Sequence, residues 1–365
     1  MKLVKVKDLH RHIGSTVGKQ VRLKDGRPYL NSGSIITERV VKTLNKNVKK
    51  LAYEFVSIRT DDTGDVEVYT EVIGDELKFK AKEQIKNSIS DISCGNTGDL
   101  RDSITEIVED IYTNPNVIHG SNTLFLAGGE DHAIHCVNVA ILAAIMAVKA
   151  GYLKADVEKI VLGAALHDIG KAKVERNLLD MNYKYKTEDF LKMQKYPEIG
   201  YQLIKDKINV MSKRIILMHH VWEDYESSYN GDLGIYMSYP KKLNKIHLNG
   251  EYKDLGISIV QVADVFEAMT NNGRKYKKRK SRMEALEYIK AMRYVQFGKG
   301  VDYFLNSIAP FDVGTEVMLS NDEKAIIKEH TSMPERPIVK IVGDHERIID
   351  LTDKRFQKLL IVSEV

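Results

Sequence analysis

Length, composition and charge place this chain among ordinary globular proteins. Its 365 residues are 43% hydrophobic and 29% charged, which excludes a globally disordered chain and leaves room for two or three domains of about 150 residues each. Lysine and arginine outnumber aspartate and glutamate by only 55 to 51, so charge alone points to neither nucleic acid nor an anionic membrane. The two cysteines, Cys94 and Cys136, form no CxxC pair, and they indicate neither a disulfide framework nor a cysteine-type zinc site.

The N-terminal segment, residues 1–95, combines short patterns typical of both strands and helices. Alternating stretches at 17–23 and 65–73 predict strands, and the stretch 33–51 predicts a helix. No glycine-rich phosphate loop and no zinc-ligand spacing occurs here, so we expect a small α+β module that regulates the chain or mediates dimerisation. The opening stretch MKLVKVKDLHRHIG lacks the apolar region of a signal peptide, and we expect a cytoplasmic protein.

The middle segment, residues 102–309, has the longer period of helices. The apolar residues of ADVEKIVLGAAL share one helical face, and Val137–Val148 is apolar almost throughout, as in the central helix of an all-α bundle. That run is shorter than the ~20 residues that span a bilayer, so we expect no membrane segment.

The last segment, residues 310–365, changes character again. Short strand-like runs, VGTEVML, RPIVKIVG and RIIDL, alternate with turn residues, which predicts a small β-rich extension. The expected fold class is therefore mainly α. A helical bundle would form the body, preceded by the α+β module and followed by the β-rich extension.

Several histidines and aspartates of the middle segment stand where a soluble helix normally places apolar residues. These are His135, His167, Asp168, His219, His220 and Asp264. An unpaired carboxylate is costly in an apolar helix such as the one around Asp264. Imidazoles and carboxylates suit zinc, iron, manganese and similar divalent ions, and a carboxylate can bridge two of them. Each motif alone also fits a structural role, but together, in the order H…HD…HH…D, they predict a metal centre.

These residues resemble the motifs of the HD-GYP family, a branch of the HD superfamily of metal-dependent phosphohydrolases. The matching stretches are DHAIHCVNVA, AALHDIGK, MHHVWED, VADVFEAMT and GRKYKK. The resemblance implies an HD-type helical bundle that binds cyclic di-GMP or a related nucleotide. It implies hydrolysis of cyclic di-GMP to linear pGpG, GMP or both, through a hydroxide that bridges two metal ions.

The resemblance also implies roles for individual residues. It assigns as metal ligands His135, His167, Asp168, His219, His220 and Asp264, with Asp131 as a further candidate. Asp168, as the bridging ligand, and Lys171, on the scissile phosphate, would be the catalytic residues. The substrate would also be held by Arg274, Tyr276 and Lys277, with Trp222 as a weaker candidate for stacking on guanine. His132 is expected to lie behind the ligands or at the surface.

The expected cofactor is a pair of divalent ions, iron or manganese first and zinc, nickel or magnesium as alternatives. Tyr196 stands where the family usually has a histidine. Neutral phenol, with a pKa of about 10, is a poor ligand at neutral pH. A third ion is therefore not expected, although Asp131 occupies the position where members with three metals have a glutamate.

The substrate loop departs from the family signature HHExxDGxGYP. The chain has HHVWEDYESSYNGDLGIYMSYP, with Val221 in place of the glutamate, and Lys275 where a proline is usual. Two alternatives therefore stay open. One is a weakly active or inactive sensor of a cyclic nucleotide or protein partner, and the other is a phosphohydrolase of another nucleotide. The basic run 274–282 has no nucleic-acid-binding motif beside it, so the expected macromolecular partners are a second copy of the chain or a regulatory protein.

Overall fold

The computed structural model of the protein describes residues 2–23, 27–51, 55–59, 73–90, 98–114, 132–175, 189, 192–220, 255–270, 280–344 and 347–364. Within these ranges, buried apolar side chains form three hydrophobic cores. The largest belongs to the helices, and a smaller core lies at each end of the chain.

The N-terminal core is enclosed by short strands and one helix. The strands are β1 (Lys2–Lys5), β2 (Thr16–Val17), β3 (Val21–Arg22), β4 (Pro28–Leu30) and β5 (Phe55–Arg59). Strand β5 pairs antiparallel with β1 and β2, and β3 pairs with β4. Helix α1 (Glu38–Asn47) is shorter than the predicted 33–51, because the Thr37 hydroxyl caps its start by accepting the Val40 N–H. Most of the predicted strand 65–73 lies outside the described residues.

The helical body places two almost wholly buried helices at its centre. Its helices are α2 (Asp75–Ser90), α3 (Gly98–Tyr112), α4 (His132–Lys149), α5 (Lys154–Leu166), α6 (Tyr196–Ile204), α7 (Val210–Met218), α8 (Leu255–Thr270), α9 (Arg282–Ala291) and α10 (Gly300–Leu305). The central pair is α4 and α8, which pack on each other, while α5 packs between α4 and α7. Their position explains why α4 and α8 are apolar around most of their circumference. Helix α2 also contributes Phe79 and Ile85 to this core.

Among the described residues, α4 is the one helix with the length and apolar composition of a membrane span. In the structure, however, 83% of that stretch is buried inside the protein. This is the environment of a core helix in a helical bundle.

The C-terminal core lies in an antiparallel sheet. Its strands are β6 (Glu316–Leu319), β7 (Lys324–Glu329), β8 (Ile338–Ile341), β9 (Ile348–Asp350) and β10 (Ile361–Glu364), in the order β10-β6-β7-β8-β9. The predicted strand-like runs contain β6, β8 and β9, whereas β7 and β10 lie outside them. The predicted fold class is confirmed: the protein is mainly α, with small sheets near both ends.

A close backbone contact fixes the turn that follows α5. This 3-10 turn, Ile169–Lys173, packs against the start of α6. A Cβ atom added at Gly170 would lie 1.9 Å from the Tyr196 carbonyl oxygen and 2.7 Å from the Gly200 nitrogen. Only glycine permits this approach. The contact sets the position of Asp168 and Lys171 relative to Tyr196.

We expect Gly170→Ala to lower the free energy of unfolding by about 3 kcal/mol, because the added methyl group must force two backbone segments apart. Urea denaturation of the full chain measures this change. Gly74→Ala is the matched control, since its Cβ would meet nothing within 4 Å, and we expect it to change stability by less than about 1 kcal/mol. Equal stabilities of the two variants would contradict the close contact.

Candidate metal centre

Four helices bring the predicted ligands to one place in the helical body. His135 lies on α4 and Asp264 on α8, the two central helices. The other ligands directly follow the C-terminal ends of α5 and α7, and they are His167, Asp168, His219 and His220. All six side chains are buried except that of His220, which is partly buried.

The donor atoms of four residues converge on a common point. His135 Nε2 lies 3.2 Å from His167 Nε2 and 3.2 Å from Asp264 Oδ1. His167 Nε2 lies 3.3 Å from Asp168 Oδ2. His135, His167 and Asp168 each offer a ligand atom within 4.8 Å of the others. This spacing, with imidazole and carboxylate donors, fits a divalent ion.

Backbone carbonyls fix the orientation of two of the imidazole rings. His167 Nδ1 lies 2.7 Å from the Ala164 carbonyl oxygen, and His219 Nδ1 lies 2.9 Å from that of Ile216. Because a carbonyl oxygen only accepts, each Nδ1 carries the proton and donates it. The Nε2 atoms of both rings therefore direct their lone pairs into the cluster, as metal ligands must.

Glu267 orients His135 in a similar way, although it is not among the predicted site residues. Its Oε2 lies 2.5 Å from His135 Nδ1, while Asn138 Nδ2 donates to its Oε1 over 3.0 Å. Glu267 is only 3% exposed. A sequence signal was present, because Glu267 and Asn138 lie one turn after Asp264 and His135 on the same two apolar helices. Metal-binding histidines commonly donate their second ring N–H to such a carboxylate.

The charges of the cluster favour a cation. Burial raises the pKa of the Asp168 carboxyl, but the neighbouring His167 ring and the Lys171 ammonium outweigh burial and hold this pKa well below its usual value. Burial lowers the pKa of His135, but the carboxylates of Glu267 and Asp264 outweigh it and raise that pKa to about 10. The carboxylates of Asp168, Asp264 and Glu267 thus outnumber the two cations that face them among the described residues, the Lys171 ammonium and the protonated His135 ring. Asp168 Oδ1 is buried with no hydrogen-bond partner there, so the donor set fits a bound metal ion.

The His219–His220 side of the cluster has a different environment. The Tyr196 hydroxyl oxygen lies 2.9 Å from His219 Nε2 and 2.6 Å from His220 Nε2. Burial lowers the pKa of the His220 imidazole to about 4, and it lowers that of His219 well below the usual value. Both rings are therefore neutral at physiological pH, which is the form that binds metals.

Two further residues touch the carboxylate of Asp168. Lys171 Nζ lies 2.5 Å from Asp168 Oδ2. His132 Nε2 lies 3.2 Å from the same oxygen, and the His132 side chain is 38% exposed. His132, expected behind the ligands or at the surface, thus contacts Asp168 at the edge of the cluster. The remaining predicted site residues, Asp131, Trp222, Arg274, Tyr276 and Lys277, lie outside the described residues.

Comparison with known proteins gives a family match within this helical body and similarity to curated relatives. Residues 133–269 match the family model of the HD domain. The chain is 32% identical over 155 residues to the cyclic di-GMP phosphodiesterase response regulator RpfG of Xanthomonas campestris, covering 42% of this chain and 36% of RpfG. It is 24% identical over 246 residues to 3'3'-cGAMP-specific phosphodiesterase 2 of Vibrio cholerae, covering 64% of this chain and 44% of that protein. The chain therefore spans less than half the length of each of these two relatives.

A solved structure is also similar. It is that of Bd1817, an HDG"Y"P protein from Bdellovibrio bacteriovorus, which aligns with a TM-score of 0.47 at 18% sequence identity. The alignment covers 83% of this chain and 97% of the Bdellovibrio chain. The match to the family model includes the α4, α5, α7 and α8 residues that form the His–Asp cluster. Residues 133–269 are an HD domain, and the protein is HD-GYP-like.

Proposed function

We propose that the chain is a metal-dependent phosphodiesterase that hydrolyses cyclic di-GMP to linear pGpG, GMP or both. The observation that carries this proposal is the convergence of His135, His167, Asp168 and Asp264, whose donor atoms meet inside an HD domain. The similarity to RpfG, which is named as a cyclic di-GMP phosphodiesterase, supports the choice of substrate.

The proposed metal ligands are the residues whose imidazole and carboxylate groups meet in the cluster. They are His135, His167, Asp168, His219, His220 and Asp264. Two divalent ions, when bound, would lower the pKa of water from 15.7 towards about 7 and supply hydroxide at neutral pH. Glu267, with Asn138 behind it, holds the His135 ring so that Nε2 faces the other donors. Asp168 lies between the two sides of the cluster, with Oδ2 near His167 and Oδ1 3.9 Å from His219 Nε2.

Lys171 is the proposed electrostatic partner of the reacting phosphate. Lys171 belongs to the 3-10 turn that follows Asp168, and its side chain is partly exposed. The ammonium group therefore lies at the exposed edge of the buried cluster. There it would stabilise the negative charge that builds on the non-bridging phosphate oxygens during hydrolysis. We propose that Arg274, Tyr276 and Lys277 hold the substrate phosphates beside it and that Trp222 stacks on a guanine.

We expect Lys171→Gln to reduce kcat by about a hundredfold, because one charge-stabilising group is lost from the transition state. Lys173→Gln is the matched control, since Lys173 is exposed in the same turn, and its kcat should stay within about twofold of the unchanged chain. Steady-state kinetics at saturating metal, with elemental analysis of each variant, make the measurement. An unchanged kcat for Lys171→Gln would rule out the assigned role.

A second substrate is favoured by one specific observation. The relative that matches 64% of this chain is named as specific for 3'3'-cGAMP. The same metal cluster would serve either cyclic dinucleotide, because both contain the phosphodiester bonds that hydroxide attacks. Contacts with the bases would determine which of the two cyclic dinucleotides is hydrolysed.

The test of the proposed function is a substrate panel with the full chain. Protein loaded anaerobically with Mn²⁺ or Fe²⁺ is incubated with cyclic di-GMP, 3'3'-cGAMP and a simple phosphate ester, and the products are separated by chromatography. We expect a linear dinucleotide or mononucleotide from cyclic di-GMP. Product from 3'3'-cGAMP alone would support the second substrate. Tight nucleotide binding without any product would contradict both and support a sensor.

A further inference from the structure

The donor cluster has two unlike halves, and Tyr196 contacts one of them. On one side, the Nε2 atoms of His135 and His167 face each other and the carboxylates of Asp168 and Asp264. On the other side, the Nε2 atoms of His219 and His220 both contact one phenolic oxygen. The side chain that makes these contacts is only 5% exposed.

The hydrogen atoms of this second half can be assigned from its partners. His219 Nδ1 donates to the Ile216 carbonyl, so His219 Nε2 is an acceptor. The Tyr196 hydroxyl has one proton, and it must donate that proton to His219. Towards His220, the Tyr196 oxygen is then the acceptor and His220 Nε2 is the donor. Neither histidine offers a free Nε2 lone pair while these bonds last.

The tyrosine is also held firmly in this position. Its backbone carbonyl packs directly on Gly170, where an added Cβ would lie 1.9 Å away. The ammonium of Lys171 lies 4.8 Å from the centre of its ring, which favours a cation–π contact. A metal ion that binds His219 and His220 must therefore break two hydrogen bonds of a side chain that packing retains.

From this geometry, and resting on the proposed metal-dependent function, we propose that the Tyr196 hydroxyl weakens the second metal site. The first ion, held by His135, His167, Asp168 and Asp264, displaces a proton from His135 Nε2 but binds more tightly, because two carboxylates lie on that side. The second ion, on the His219–His220 side, binds more weakly because it competes with the phenol. Tyr196 thus adjusts how many ions the centre holds at a given metal concentration.

Calorimetric titration of the metal-free full chain with Mn²⁺ tests the proposal, with dialysis and elemental analysis to count the bound ions. We expect one tight and one weaker step. Tyr196→Phe should strengthen the weaker step about tenfold, the effect of removing one or two competing hydrogen bonds, and leave the tight step unchanged. If the phenylalanine variant does not fold, Tyr196→Leu replaces it. This variant also lacks the hydroxyl and should strengthen the weaker step in the same way. Tyr201→Phe on the same helix is the matched control and should change neither step.

Each other outcome overturns the proposal. Lower Mn²⁺ affinity of the second step in Tyr196→Phe would show that the phenol oxygen is a ligand. Unchanged affinity of that step would show that the hydroxyl has no effect on metal binding. Two Mn²⁺-binding steps of equal affinity in the unchanged chain would show that the two metal sites do not differ. In all three cases a retained tight step leaves the proposed function standing, whereas absence of any Mn²⁺ binding would defeat both.

Discussion

Replacing both His167 and Asp168 by alanine is expected to abolish phosphodiesterase activity, with a loss of at least about a thousandfold. His167 is fully buried, and Asp168 is 1% exposed. Asp168 contacts the rings on both sides of the cluster as well as Lys171. Without these two residues, the remaining donors no longer surround a common point, and we expect the tight metal-binding step to disappear with the activity. Elemental analysis and cyclic di-GMP hydrolysis on the same preparation measure both losses.

The controls for this variant separate chemistry from folding. Removing buried charged partners also destabilises a protein, so Asp168→Asn, which keeps the shape of the side chain, is made as well and should lose activity while remaining folded. His10→Ala is the matched histidine control, because His10 is exposed and far along the chain from the cluster. Full activity in the His167→Ala, Asp168→Ala double variant would refute the proposed metal centre.

Glu267→Gln is expected to weaken the tight metal-binding step by about 10- to 100-fold, the usual cost of losing a carboxylate that orients a ligand histidine. Glutamine keeps the size of the side chain and its contact with Asn138, but it loses the negative charge beside His135 Nδ1. The ring of His135 would then be a weaker donor and less firmly oriented. Titration with Mn²⁺ measures the change.

Two further measurements show whether Glu267 acts through His135. Activity of Glu267→Gln should recover substantially at saturating metal, because the reacting groups themselves are intact. Glu287→Gln is the matched control, since Glu287 is exposed and pairs only with Lys290 among the described residues, and it should leave metal affinity unchanged. Unaltered metal affinity in Glu267→Gln would show that the short contact to His135 has no part in metal binding.

The ligand set could be proposed from sequence because buried ionisable groups are rare and costly. Asp264 lies in a mostly apolar helix, and His167 and Asp168 follow the end of another. Buried ionisable groups of this kind need a partner in the core. The structure places these side chains together, although no local pattern determines which helix ends meet. Glu267 lies in the same helix as Asp264 and has the same signal, but it escaped notice because one polar residue near a helix end also fits an exposed face.

Other features depend on contacts between distant parts of the chain. The two hydrogen bonds of Tyr196 reach residues 23 and 24 positions away, so the sequence could identify the unusual tyrosine but not its partners. Strand β7, KAIIKE, begins with a lysine and ends with a lysine and a glutamate, and its apolar centre is too short to distinguish a strand from a turn of helix. Its pairing with β6 and β8 determines its conformation. Helix α1 begins later than predicted because the Thr37 side chain caps it, so that the first helical residue is Glu38.

The proposed function requires that the buried His–Asp cluster of this HD domain hold metal ions that drive hydrolysis of a cyclic dinucleotide. Elemental analysis of the chain loaded with excess Mn²⁺ under anaerobic conditions, together with chromatography of a cyclic di-GMP digest of the same sample, measures both the bound metal and the product. We expect about two ions per chain, as in two-metal hydrolytic sites, together with a linear product. A chain without bound metal, or one with bound metal that forms no product from any cyclic dinucleotide, would contradict the proposed function.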